Sequence, residues 1–213
     1  MKINKEDMIN SILESVSKIN HIQPDELPNI DLYMDQVTTF MEARLSSNKR
    51  HPEDKILTKT MINNYAKNDL LPSPEKKRYS KEHMLLLIFI YYFKNLLSIN
   101  DIQTLLNPIT EKYFKSDDEK NLTYIYNEVF SLEDAQIENL KKDLLQHYAA
   151  AESTFADADD EDADFLKQFS FICLLSFDVY IKKMIIERMI DEMQPEDSKS
   201  AKKKTHKEKT PKT

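Results

Sequence analysis

The chain contains no glycine, although ordinary usage of about 7% would supply roughly 15 in a chain of 213 residues. Glycine enters left-handed backbone at no steric cost and lets a main chain close around an anion. Without it, P-loops, dinucleotide-binding fingerprints and kinase-type phosphate loops are excluded. Tight primed hairpins are disfavoured as well, so extensive β structure is not expected. Turns that need φ > 0 fall to Asn and Asp, both plentiful here. The expected fold class is therefore all-α, with at most a small β wing.

Other omissions narrow the chemistry further. Cys173 is the single cysteine and lies in an apolar run, so it reads as a small core hydrophobe, with no internal disulfide or cysteine-based zinc site available. The five histidines are scattered without a His-x-x-x-His pair. The acidic run at Asp157, Asp159, Asp160, Glu161, Asp162 and Asp164 lacks the glycine turn and spacing of a calcium loop. No enzyme, cofactor or metal site is expected. The chain opens on charged residues, and its longest apolar run, Met84–Phe93, is half of a membrane span of about 20 residues. A cytoplasmic protein is the expectation.

Helical periodicity organises the rest. Residues 5–20 repeat apolar positions at helical spacing after Asn4, a cap candidate. His21–Ile30, with Pro24 and Pro28, reads as a linker. Asp31 is placed to cap a helix through about Leu45, followed by a polar loop to Lys55. Thr58 caps a helix to about Lys67, which Pro72 and Pro74 stop. Ser80 caps a helix apolar on every face, as a central helix must be, and Ser98 with Asp101 approximates a capping box. Further helices are expected over 117–130, 131–152 and 162–193, with Asp178 and Lys182 as a surface pair. The tail from Pro195, rich in lysine and poor in apolar residues, is expected to be disordered. The divisions are 1–30, 31–107, 108–194 and 195–213.

Residues 57–106 resemble the DNA-binding domain of MerR-type regulators. Thr58 falls at the recognition-helix cap, Asn63-Asn64-Tyr65 at the polar–aromatic run, and Leu70-Leu71-Pro72 at the following turn. Arg78, Tyr79, Ser80 and Glu82 match the wing exit, and Ser98, Ile99, Ile102, Leu105 and Leu106 the last piece. The resemblance departs at Asn63, where arginine is usual, and at Asp69 and Leu96, which replace glycines; Asn68 or Asn95 could take those left-handed turns. The whole chain also resembles a mainly Gram-positive bacterial family classified as a domain of unknown function, DUF1836. Together these imply a MerR-like winged helix-turn-helix followed by a helical C-terminal unit.

That resemblance gives the basic residues a use. Nine basic against five acidic residues between Lys49 and Glu82 make the segment +4 within a chain of net charge −7. The implied reading places the 58–67 helix in the major groove of double-stranded DNA. Thr58, Lys59 and Thr60 would lie nearest phosphates, and Lys67 on the same basic helix. Asn63 and Asn64 would read bases, since Asn pairs bidentately with adenine. Tyr65 could take a mixed role, phosphate contact and core aromatic, and Lys76, Lys77 and Arg78 would form the wing contact. A homodimer through the C-terminal helices is expected, because paired heads span a two-fold operator; an unknown small-molecule or protein effector could bind there. The alternative use is a protein-interaction module that keeps the winged fold without touching DNA.

Overall fold

The computed structural model describes residues 5–17 and 21–193. Among these the regular elements are almost all helices, with one two-stranded sheet. The order is α1 (Lys5–Ser17), β1 (Leu32–Tyr33), α2 (Met34–Leu45), α3 (Lys59–Lys67), β2 (Arg78–Tyr79), α4 (Lys81–Phe93), α5 (Ile99–Tyr113), α6 (Leu122–Phe130), α7 (Glu133–Glu152) and α8 (Asp160–Met193). The expected all-α fold with a small β element is what forms. The Asn4 cap and the lysine-rich tail at 195–213 lie outside the described residues.

The main core is laid around α4. Every residue from His83 to Ile90 is buried, so this stretch has no solvent face, as its all-round apolar sequence requires. Each fully buried Leu or Ile there contributes about 2 kcal/mol through removal from water. Val37, Met41 and Leu45 of α2, Ile62 and Tyr65 of α3, Ile102 and Leu106 of α5, and Leu122 and Tyr126 of α6 close on it. Tyr126 donates its hydroxyl to the Ile22 carbonyl at 2.7 Å. Ile22 and Leu27 are buried in this core, so the expected 21–30 linker is docked along its path. A second core joins Ile9 of α1 to Leu144 and Ala151 of α7 and Phe171 of α8.

Three further expectations are corrected. Asp31 caps nothing: Leu32 and Tyr33 pair antiparallel with Tyr79 and Arg78, and the Tyr33 N–H donates to Gln36 Oε1 at 2.8 Å at the start of α2. The chain does not break at 107–108 either, because α5 continues through Pro108 to Tyr113. Cys173 is half-buried on α8, not part of a closed core.

Candidate nucleic-acid interface

The interface candidate starts with α3. Thr58 Oγ1 accepts the Met61 N–H at 3.1 Å, satisfying one of the helix's free donors. The far end stops in a glycine-free Schellman motif, with Leu70 N–H bonded to Tyr65 C=O at 2.9 Å and Asp69 N–H to Ala66 C=O at 3.3 Å. The left-handed residue is Asp69 (φ 53), so Asn68 does not take the turn. Asn68 instead donates its side chain to Asn64 C=O at 2.7 Å. Asn95 is not left-handed either, because Leu96 and Leu97 N–H both reach Phe93 C=O at 2.9 Å.

This geometry sorts the α3 side chains. Ile62 and Tyr65 point into the core, while Lys59, Thr60, Asn63, Asn64 and Lys67 are exposed along one face at helical spacing. Tyr65 is only 8% exposed, and burial raises its hydroxyl above the ordinary pKa. Its ring therefore takes the core half of the mixed role. The carbonyl it gives to Leu70 also makes it part of the helix stop.

The turn between Glu75 and Arg78 supplies the second arm. Lys76 and Lys77 are both left-handed (φ 49 and 66), and the Arg78 N–H closes onto Glu75 C=O at 2.8 Å. A two-residue turn with both central φ positive is a type I′ hairpin, normally given to Asn-Gly. The glycine-free chain makes one from two lysines, a turn the composition had disfavoured. Lys76, Lys77 and Arg78 are exposed at its tip and exit. Lys115 bonds Glu75 at 2.5 Å, and that bond holds the Glu75 carboxyl below its usual pKa and the Lys115 ammonium above its own.

The start of α2 joins the two arms. Lys59 pairs with Asp35. Two residues earlier, Tyr33 Oη accepts Arg78 Nε–H at 3.3 Å, with the guanidinium carbon 5.2 Å from the Tyr33 ring centroid. Lys59 and Arg78 therefore converge on Tyr33 and Asp35, though distant in sequence. Neither anchor was singled out from sequence. Asp35 sits 24 positions before its lysine and Tyr33 45 positions before its arginine, with no short-range pattern to announce either.

The surface is cationic in balance. Residues 59–78 expose Lys59, Lys67, Lys76, Lys77 and Arg78 against Asp69 and Glu75. Such a surface can hold phosphates on its lysines and arginine, and present Asn63 and Asn64 amides to base edges.

Elsewhere, a cleft of about 510 Å³ lies between α1, the Ser47–Asn48 turn and the end of α4, lined in part by Ile12, Val16, Tyr91 and Tyr92. The Tyr92 hydroxyl is buried without a hydrogen-bond partner, and its pKa is pushed up to about 12 by that burial. Among the described residues, no three His, Cys, Asp or Glu side chains are grouped to hold a metal, and no helix is long and apolar enough to cross a membrane.

No curated protein and no solved structure matches this chain. Residues 22–129 match the family described as a domain of unknown function, DUF1836. The matched span begins at the buried Ile22 and ends in α6, taking in nearly all of the main core with α3 and the lysine turn, and the chain belongs to the DUF1836 family.

Proposed function

We propose that this protein is a non-enzymatic, sequence-specific DNA-binding transcriptional regulator of the cytoplasm, with a MerR-like winged helix-turn-helix as its reading head. The observation that carries this reading is the convergence of Lys59 and Arg78 on Tyr33 and Asp35, which joins the N-terminus of α3 to the lysine turn as one surface. In this reading α3 enters the major groove. Thr60 and Lys59 meet phosphates beside the positive end of the helix. Asn63 and Asn64 face the bases, and Lys76 and Lys77 reach the flanking backbone.

The test is fluorescence anisotropy with genomic DNA fragments across a salt series. Binding should fall steeply with salt, because each neutralised phosphate releases counterion. Folded protein that binds no fragment at low salt would remove the proposal. A second reading, a protein-docking face, is favoured by the chain's net charge of −7 and by the acidic Glu75 at the base of the turn. It predicts that replacing Lys59, Asn63 and Arg78 with Ala leaves DNA affinity and sequence preference unchanged.

A further inference from the structure

The 34-residue α8 is apolar on nearly every side, and its own chain covers only part of it. Near its start Phe171 packs into the second core, with a T-shaped contact to Tyr148. Near its end Ile190 is buried in the main core, and Lys183 donates to the Leu96 carbonyl at 2.7 Å. The covered face thus rotates along the helix, leaving two different apolar strips open.

Between Phe165 and Val179, one strip is formed by Phe165, Phe169, Ile172 and Val179, all between 53% and 67% exposed. Their spacings of four, three and seven, with Ser176 in the vacant place, are those of a coiled-coil seam. In the second half, Phe177, Tyr180, Ile181, Met184 and Ile185 are open on another side. Together the two strips expose on the order of 1,000 Å² of apolar side-chain surface, in the range of the roughly 800 Å² per partner of a stable interface.

We propose that this surface is covered by α8 of a second copy, running antiparallel. The chain beyond Met193 does not suit the role, because residues 194–213 hold no large apolar side chain. Charge sets the direction. Asp157, Asp159, Asp162 and Asp164 crowd the start of α8, whereas its second half carries Lys182, Lys183 and Arg188 among its acids. Parallel pairing would place the acidic starts side by side; antiparallel pairing sets each beside the mixed-charge half of its partner. Full overlap of two such helices puts the two-fold axis beside Ser176 and Phe177. Phe169 then faces Met184 of the other copy, and Ile172 faces Ile181. Each copy thus presents Phe169 and Ile172 of its first strip to Met184 and Ile181 of the other's second, as an isologous interface requires.

Sedimentation equilibrium of the full chain should give twice the 25.1 kDa protomer mass at micromolar concentration. Phe169→Glu and Met184→Glu, each at an exposed site, should weaken association at least a hundredfold with unchanged helicity, while Ile30→Glu, exposed elsewhere, should not. A monomer at all concentrations, or dimers that survive both glutamates, would overturn the proposal. So would a monomeric chain that floats with vesicles of mixed phosphatidylcholine and phosphatidylglycerol. In a Cys173→Ser background, Ser176→Cys should cross-link to itself on oxidation. Phe165→Cys should not, because antiparallel copies hold it about 35 Å from its equivalent. Self-cross-linking of Phe165→Cys would exclude the antiparallel arrangement.

Discussion

Asp69 shows at the level of one residue what a glycine-free chain accepts. Its backbone is left-handed at the stop of α3, where a side chain is crowded against the main chain. Asp69→Gly removes that cost, and the Leu70–Tyr65 hydrogen bond keeps the turn. Stability should rise by about 1 kcal/mol, or roughly 2–4 °C in melting temperature, read by calorimetry. It also deletes a negative charge next to Lys67, so DNA affinity should rise with it. Asp35→Asn makes the complementary case: Lys59, released from its carboxylate, should bind DNA more tightly, and Lys59→Ala should reduce the salt slope of binding by about 1. In a double-mutant cycle the effect of Asp35→Asn should vanish once Lys59 is Ala. Sequence made Thr58 legible as a cap because capping is a local contest between a hydroxyl and free N–H groups. It misplaced the left-handed turn at Asn68, because choosing between neighbours depends on which residue must deliver Leu70 to the core, and burial is not local information.

Among the elements, the lysine turn and the start of α4 carry opposite lessons. The central helix was legible from an unbroken apolar run, whereas β1 was not, since two residues hold no alternation and their partners lie 45 and 47 positions away. The turn was obscured for a different reason, as composition disfavoured a type I′ hairpin that cross-strand pairing with Leu32 and Tyr33 nonetheless enforces. Lys77→Gly should therefore raise the melting temperature by a few degrees and, if the turn has the proposed use, weaken DNA binding, a separation of stability from use expected where strain sits in such a turn. At the start of α4, His83 Nδ1 accepts the Ser80 N–H at 3.0 Å, and the ring is packed against Tyr79 and Phe114. Burial first, and the Lys115 charge second, lower its pKa from the ordinary 6.5. The unfolded chain therefore binds the proton more readily, so this contribution is complete above about pH 6.5 and is lost as pH falls below it. His83→Gln keeps an acceptor for the Ser80 N–H without the titration. Denaturant melts between pH 7.5 and 5 should show a smaller acid-side loss in that variant than in the parent.

At the scale of the molecule, the proposed reading gives the segment at residues 32–80 and the long α8 two different tasks, and their coupling is measurable. The proposed α8 pairing places two heads on one particle, so binding one half-site raises the effective concentration of the second head at its neighbour. The salt slope scales with the number of phosphates neutralised, about 0.9 for each on duplex DNA. A dimer using both heads should thus show about twice the slope of a single head. Phe169→Glu changes no residue of the proposed DNA face, so on a two-site duplex it should lower affinity by 10²–10⁴ and halve the slope. On a half-site duplex it should change neither. An equal loss on both duplexes would mean that the glutamate had damaged the head itself. An unchanged slope in a variant shown to be monomeric would mean that one head had carried the binding throughout, leaving the DNA reading intact and the paired arrangement irrelevant to it.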